Sequence, residues 1–180
     1  GDFKDSTNIK VHLDPRLKIT ATQLEQKEVA INDFNKIVNA ATESFNQLKA
    51  AKKTIKLVND QMVNAPDSLK KQIKKLGKAM TDSITQMQLL YVTPQDAKGI
   101  TRSDDRLNSK LFTASRYIGG SDGKPGQMAQ FATAHAKERL EEVLEKVNKF
   151  FAKDWKDYQE KAEAARTSIF KDFEEVKIED

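Results

Sequence analysis

The chain has 180 residues, 32% of them charged and 38% apolar, with no cysteine and a formal net charge of +4. These figures exclude disulfides and thiolate zinc sites, and apolar positions that recur almost throughout exclude a disordered chain. No apolar run approaches the 18 residues of a membrane span, and the basic excess, with a pI of about 9.1, is too modest to mark nucleic-acid binding by itself.

Residues 1–19 differ from the rest. Asn8-Ile9-Lys10-Val11-His12-Leu13 alternates polar and apolar side chains, the pattern of a half-buried strand. Asp14-Pro15 ends it as a turn. A lone strand needs a partner, so it pairs either with a second copy of the chain or with a preceding β domain, and the second is the favoured expectation. Gly1 in place of Met is read as the mark of an expression or processed fragment, from which a leader could have been removed. The expected division is 1–19 as the end of a β domain plus linker, and 20–180 as a helical domain.

The first helix is expected over residues 22–64. Leu24, Ile31, Phe34, Val38, Ala41, Phe45, Leu48, Ile55 and Met62 recur with a helical period, over a length of about 65 Å at 1.5 Å per residue. Thr20 and Thr22 open it, and Thr22 with Glu25 fits a capping box. Asn64-Ala65-Pro66-Asp67 is a tight corner, so the second helix, to about Val92, runs back antiparallel. Its inward stripe is Leu69, Ile73, Leu76, Met80, Ile84, Met87 and Leu90. Gly77 costs up to about 1 kcal/mol relative to alanine inside a helix. Close approach of a neighbouring helix would explain it.

Thr93-Pro94 stops the second helix, and 93–103 reads as a loop. Ser103 or Asp104 caps a short helix with Leu107, Leu111, Ala114 and Ile118 inward. A glycine-rich loop, Gly119 to Gly126, leads to a last helix over 127–173. Its stripe is Phe131, Leu140, Val143, Val147, Phe151, Trp155, Tyr158, Ala162, Ala165 and Ile169. The second and short helices together match the length of either long one. The predicted fold is therefore all-α: an elongated antiparallel up-down bundle of three long layers, the middle one broken to make four helices, preceded by the orphan strand. A four-helix up-down bundle is the alternative topology.

Sites of chemistry are sparse. His12 and His135 are the two histidines, and His135 with Glu138 and Glu142 on one helix makes no closed metal site. The loop Gly119-Gly120-Ser121-Asp122-Gly123 lacks a preceding strand and phosphate-loop spacing. Asp104 and Asp105 read as capping residues, and Phe150, Phe151, Trp155 and Tyr158 lie at core spacing. No nucleophile with a paired base is visible, so no catalytic residue, metal or cofactor is assigned. The candidate that remains is a lysine cluster: Lys49, Lys52, Lys53 and Lys56 late in the first helix, and Lys70, Lys71, Lys74, Lys75 and Lys78 early in the second. An antiparallel hairpin brings these near one end, as an anion-binding face for a polyanion or membrane surface. Without interleaved arginines or aromatics it argues against nucleic acid.

The order of the short motifs carries a resemblance. Val-x-Leu-Asp-Pro-Arg (Val11 to Arg16) leads into a long helix. Gly-Gly-x-Asp-Gly-x-Pro (Gly119 to Pro125) leads into another, which holds Phe-x-x-Asp-Trp (Phe151 to Trp155). This resembles the C-terminal helical region of secreted bacterial proteins with sortilin-type, sialidase-like Asp-box (BNR) β-propellers. The family usually has Pro-Thr where this chain has Pro125-Gly126. The resemblance implies a non-catalytic C-terminal accessory domain of an extracytoplasmic protein, acting as spacer, docking surface or oligomerisation element. Its partners would be upstream immunoglobulin-like and propeller domains, with a homodimer as a further expectation. Such proteins are often labelled glycosyl hydrolases, but any active residues would lie in the propeller. The rival expectation is a polyanion- or membrane-surface-binding module that uses the nine lysines.

Overall fold

A computed structural model describes residues 3–12, 14–62, 65–93 and 105–165. Its elements are α1 (Ala21–Gln61), α2 (Asp67–Tyr91), α3 (Leu107–Gly119), α4 (Gln127–Phe150), a π turn (Phe151–Trp155) and α5 (Lys156–Ala164). Backbone angles stay helical from Phe150 through Lys156. The last three elements therefore form one continuous rod.

The three-layer arrangement holds. Ser44 meets Tyr91 and Lys52 meets Thr85, so α2 runs antiparallel to α1. The loop after α3 returns to the start of α1, where the Lys27 ammonium donates to the Ser121 carbonyl. An added Cβ at Gly123 would stand 3.4 Å from Gln23 and 3.5 Å from Ile19. At the opposite end Ala165 packs with Met62, Ala65 and Ile73. Thus α1 and the α4–α5 rod run parallel, with α2 and α3 as a broken antiparallel middle layer. Thr93 and Arg106, which flank the break, are joined by a side-chain hydrogen bond, and Arg139 on α4 donates to the Asp105 carbonyl at 2.7 Å. The two halves of the middle layer are thereby held in line.

One core cluster joins the layers. It contains Leu48 and Ile55 from α1, Ile84 and Tyr91 from α2, Leu107 from α3, Val143 and Val147 from α4, and Tyr158 from α5. Small residues set its spacing. Ser44, Ala51, Gly77, Ala129 and Ala136 are buried, and a Cβ at Gly77 would come within 3.0 Å of Ile55 Cγ2. The expected close approach at Gly77 is therefore present.

Several expectations are corrected. Among the described residues the 3–12 segment forms no strand, and Ile9 and Val11 are exposed. A strand is stabilised by ladder hydrogen bonds, and the described residues offer no second strand to supply them. The cap of α1 is Thr20, whose hydroxyl accepts from the Gln23 N–H at 3.2 Å. The Gln23 side chain accepts from the Thr20 N–H at 3.0 Å, so the capping box is Thr20–Gln23 rather than Thr22–Glu25. Phe131 and Ile31 are exposed, because the inward faces there are taken by Ala129 and Ala136 on α4 and by Ile37 on α1. Phe150 is buried and Phe151 only partly, because Phe150 continues the buried rhythm of Leu140, Val143 and Val147 up to the π turn. Ser103, Asp104, Ile169 and the end of the last helix lie outside the described residues.

Candidate functional site

The helical hairpin arranges the nine lysines by their spacing. Lys49, Lys52 and Lys56 stand at i, i+3 and i+7, which places them on one stripe of α1. Lys70, Lys74 and Lys78 form a stripe on α2 that continues, by steps of three and four, through Thr81 and Thr85. The Lys52 ammonium donates to Thr85 Oγ1 at 2.9 Å. That contact puts both stripes along the same α1–α2 seam. Lys71, at i−3 from Lys74 and i−7 from Lys78, shares the α2 stripe, whereas Lys53 and Lys75 step off and are exposed. The structure therefore brings seven of the nine lysines to the seam.

In the antiparallel register the two groups follow one another rather than facing each other. Lys52 lies level with Thr85, and Ile55 lies against Gly77, so Lys56 comes near the level of Lys78. The basic strip thus continues along the seam from Lys49 to the hairpin corner, about 24 Å at the rise of an α-helix.

Within each lysine group no carboxylate intervenes, and Asp60 and Asp67 lie at the corner end, about one helical turn from Lys56 and Lys70. Between Glu43 and Asp60, and again between Asp67 and Asp82, the chain carries lysines and no acid. Among the described residues no ion pair is made by Lys49, Lys52, Lys56, Lys74 or Lys78; ion pairs elsewhere include Arg16–Asp14, Lys36–Asp33, Lys137–Glu141 and Arg139–Glu142. Lys49 instead lies over the Phe45 ring, 5.2 Å from its centroid, which holds the stem along the helix. Lys52 is half-buried and tied to Thr85. Thr85 in turn donates to the Thr81 carbonyl at 2.7 Å, and Thr81 to the Gly77 carbonyl at 2.8 Å. These hydroxyls keep lone pairs free to accept from a ligand. Like charges concentrated on a low-dielectric surface raise the local potential and attract anions.

The strip has a neutral extension that charge patterning in the sequence does not single out. Asn39, Thr42 and Asn46 precede Lys49 at steps of three and four. With Glu43, Gln47 and Ala50 they line a shallow depression on α1. The signal in the sequence is the recurrence of amides and hydroxyls at helical spacing on the face away from the core.

The other candidates are dispersed. His135 is exposed in a small α3–α4 groove with Ser109, Lys110, Thr113 and Ala132. Glu142, one of its expected neighbours, is bound by Arg139 at 2.5 Å. His12 is exposed on the N-terminal segment. No group of three or more His, Asp or Glu among the described residues is placed to hold a metal ion. Phe150, Phe151, Trp155 and Tyr158 stack in sequence, with centroids 5.3–6.4 Å apart between Phe150, Phe151 and Trp155 and 5.6 Å between Trp155 and Tyr158. They belong to or pack on the core. Asp14 is held by Arg16 at 2.6 Å; this side-chain bond and the Arg16 N–H hold its carboxyl below the usual range. That pair closes a turn ahead of α1.

Comparison with family models, curated proteins and solved structures gives no match. Among the described residues no helix is long and apolar enough to cross a membrane.

Proposed function

We propose that this chain is a non-catalytic helical docking module that engages an anionic partner through the α1–α2 seam. The observation that carries the reading is the run of Lys49, Lys52, Lys56, Lys74 and Lys78 along one seam without a carboxylate paired to any of them. The inward positions of the rods are filled by side chains such as Leu48, Ile84 and Val143, so recognition falls to the outer surface. The test compares two variants of equal net charge on phosphocellulose. One replaces Lys49, Lys52, Lys56, Lys74 and Lys78 by glutamine; the other replaces Lys146, Lys149, Lys153, Lys156 and Lys161. The seam variant is expected to elute at markedly lower salt than the other. Equal elution would mean that net charge alone is felt, and would overturn the reading.

A second reading places the module at the C-terminal end of a larger extracytoplasmic propeller protein, as spacer or oligomerisation element. It rests on the Val11–Arg16 and Gly119–Trp155 motifs, and on the exposed, alternating Ile9 and Val11, which suit a strand whose sheet lies elsewhere. Light scattering on the chain with and without residues 1–18 tests it. Monomers in both cases fit a spacer within a longer chain. A dimer lost on deletion means that the segment pairs between copies, which contradicts the upstream-sheet account.

A further inference from the structure

We propose that the occupant of the seam is an anionic polysaccharide, a linear chain bearing sulfate or carboxylate groups; this rests on the anionic-docking reading above. Three features select it. First, the charge lies in a narrow strip rather than a broad plane. Lys52 is half-buried between the helices and tied to Thr85, so a thin chain can meet its ammonium where a flat bilayer surface meets only the outer lysines. Second, the strip continues into neutral hydrogen-bonding groups. Asn39, Thr42 and Asn46 line the depression on α1 and lead by helical steps to Lys49 and Lys56. Amides both donate and accept, which matches sugar hydroxyls. A polyphosphate chain offers acceptors alone and would leave the amide oxygens unused. Third, the cations are all lysines. A lysine ammonium is a point charge with freely directed donors, without arginine's planar fork for carboxylate and phosphate, so it follows anionic groups spaced along a flexible chain without demanding one orientation. No aromatic side chain stands in the strip to stack a base, the Phe45 ring being covered by Lys49.

The geometry divides the work. The lysine columns hold the anionic groups, with successive lysines four residues apart rising about 6 Å along the helix. The Asn39–Thr42–Asn46 stripe reads the hydroxyls of the adjoining sugars. Glu43, beside that stripe, disfavours an anionic group there and so sets the direction in which charge must run along the chain.

The experiment is fluorescence anisotropy with a labelled heparin octasaccharide as probe, alongside labelled polyphosphate of matched charge and vesicles of phosphatidylserine and phosphatidylcholine. Wild type is compared with Lys52→Gln, Asn46→Ala and, as an outward control on α4, Lys146→Gln. The wild type is expected to prefer the octasaccharide. Lys52→Gln weakens it about fivefold and lowers the salt dependence by about one counterion. Asn46→Ala weakens the octasaccharide about threefold, the worth of one hydrogen bond, and leaves polyphosphate unchanged. Lys146→Gln changes neither. Preferential binding to polyphosphate or to the vesicles, or an Asn46→Ala variant that binds the octasaccharide as wild type does, overturns the polysaccharide while leaving anionic docking standing. Binding of none of the three probes overturns both.

Discussion

Ser44 Oγ and Tyr91 OH lie 2.7 Å apart in the core, joining α1 to the last turn of α2 across 47 residues of sequence. Ser44 is buried, and the Tyr91 hydroxyl is what satisfies it. Tyr91 also packs its ring 5.3 Å from Phe45. The pair marks the end of α2, where the middle layer breaks. Tyr91→Phe leaves the serine hydroxyl buried and unpartnered, and is expected to cost about 1–2 kcal/mol. Ser44→Ala strands the phenol and costs about as much. The double variant, which removes both groups, should lie closer to wild type than the sum of the singles. Denaturant melts of the four proteins check this; additive losses would mean that the hydrogen bond is not formed.

Tyr158 has the opposite character. It is buried in the core, and its hydroxyl has no partner among the described residues. Tyr158→Phe is therefore expected to be neutral or to stabilise by up to about 1 kcal/mol, a gain that Tyr91→Phe cannot show. Burial pushes both phenols above the ordinary tyrosine range, with Ser44 offsetting part of the effect at Tyr91. A pKa raised in the folded state gives stability that is fully present below the unfolded value of about 10 and is lost as pH rises through the folded one. Melts across the alkaline range should show a flat profile that falls above about pH 10. Tyr158→Phe should make that fall shallower; an unchanged fall would show that Tyr158 does not contribute.

Gly77 allows the close crossing of α1 and α2. Alanine there gains about 1 kcal/mol of helix propensity. It also places a methyl carbon 3.0 Å from Ile55 Cγ2, a buried and branched side chain with little room to yield. Overpacking of this kind costs about 1–3 kcal/mol. Gly77→Ala is expected to destabilise by about 1 kcal/mol and Gly77→Leu by more than about 3, in thermal or denaturant melts. A stabilised alanine variant would show that the helices have slack at the crossing.

The π turn corrects a phase error in the last rod. The buried positions Ala136, Leu140, Val143, Val147 and Phe150 alternate steps of four and three. Continued, that rhythm falls on Asp154, Asp157, Lys161 and Ala164. The inward residues are instead Trp155, Tyr158, Ala162 and Ala165, each one residue later. A π turn absorbs one extra residue. Deleting exposed Ala152 should therefore convert the turn to α-helix with the face in register and stability within about 1 kcal/mol of wild type. Deleting Glu145, on the α-helical part, should rotate Val147 and Phe150 out of the core and cost more than about 3 kcal/mol. Equal losses in the two deletions would contradict the phase argument.

Much of the fold was legible in periodicity. The stripes of α1 and α2, the antiparallel corner at Pro66 and the matched lengths that require a broken middle layer all follow from spacing. What was not legible has physical causes. Ser44, Ala51, Ala129 and Ala136 are seam positions whose importance is their small size, which a search for large apolar side chains passes over. Thr20–Gln23 and Thr22–Glu25 are both capping-box pairs by composition. The contacts of Ile19 and Gln23 with Gly123, distant in sequence, accompany the first. Phe150 and Phe151 are adjacent, and only the jump from 150 to 155 in the apolar stripe signals which one is inward. For the site, the lysines were visible as a cluster. Their division into seven seam residues and two outliers depends on how the two helices turn toward each other, which the Lys52–Thr85 contact reveals. The amide stripe carried no charge signal at all.

On this model of recognition, ligand contact is confined to the α1–α2 seam and the amide stripe of α1 that adjoins it. The most direct measurement is a backbone amide NMR titration of the chain with the heparin octasaccharide. Shift changes are expected to concentrate in residues 39–56 and 70–85, with α4 and α5 silent although they carry lysines of their own. Changes centred on Lys146 to Lys161, or spread evenly over all exposed lysines, would contradict it.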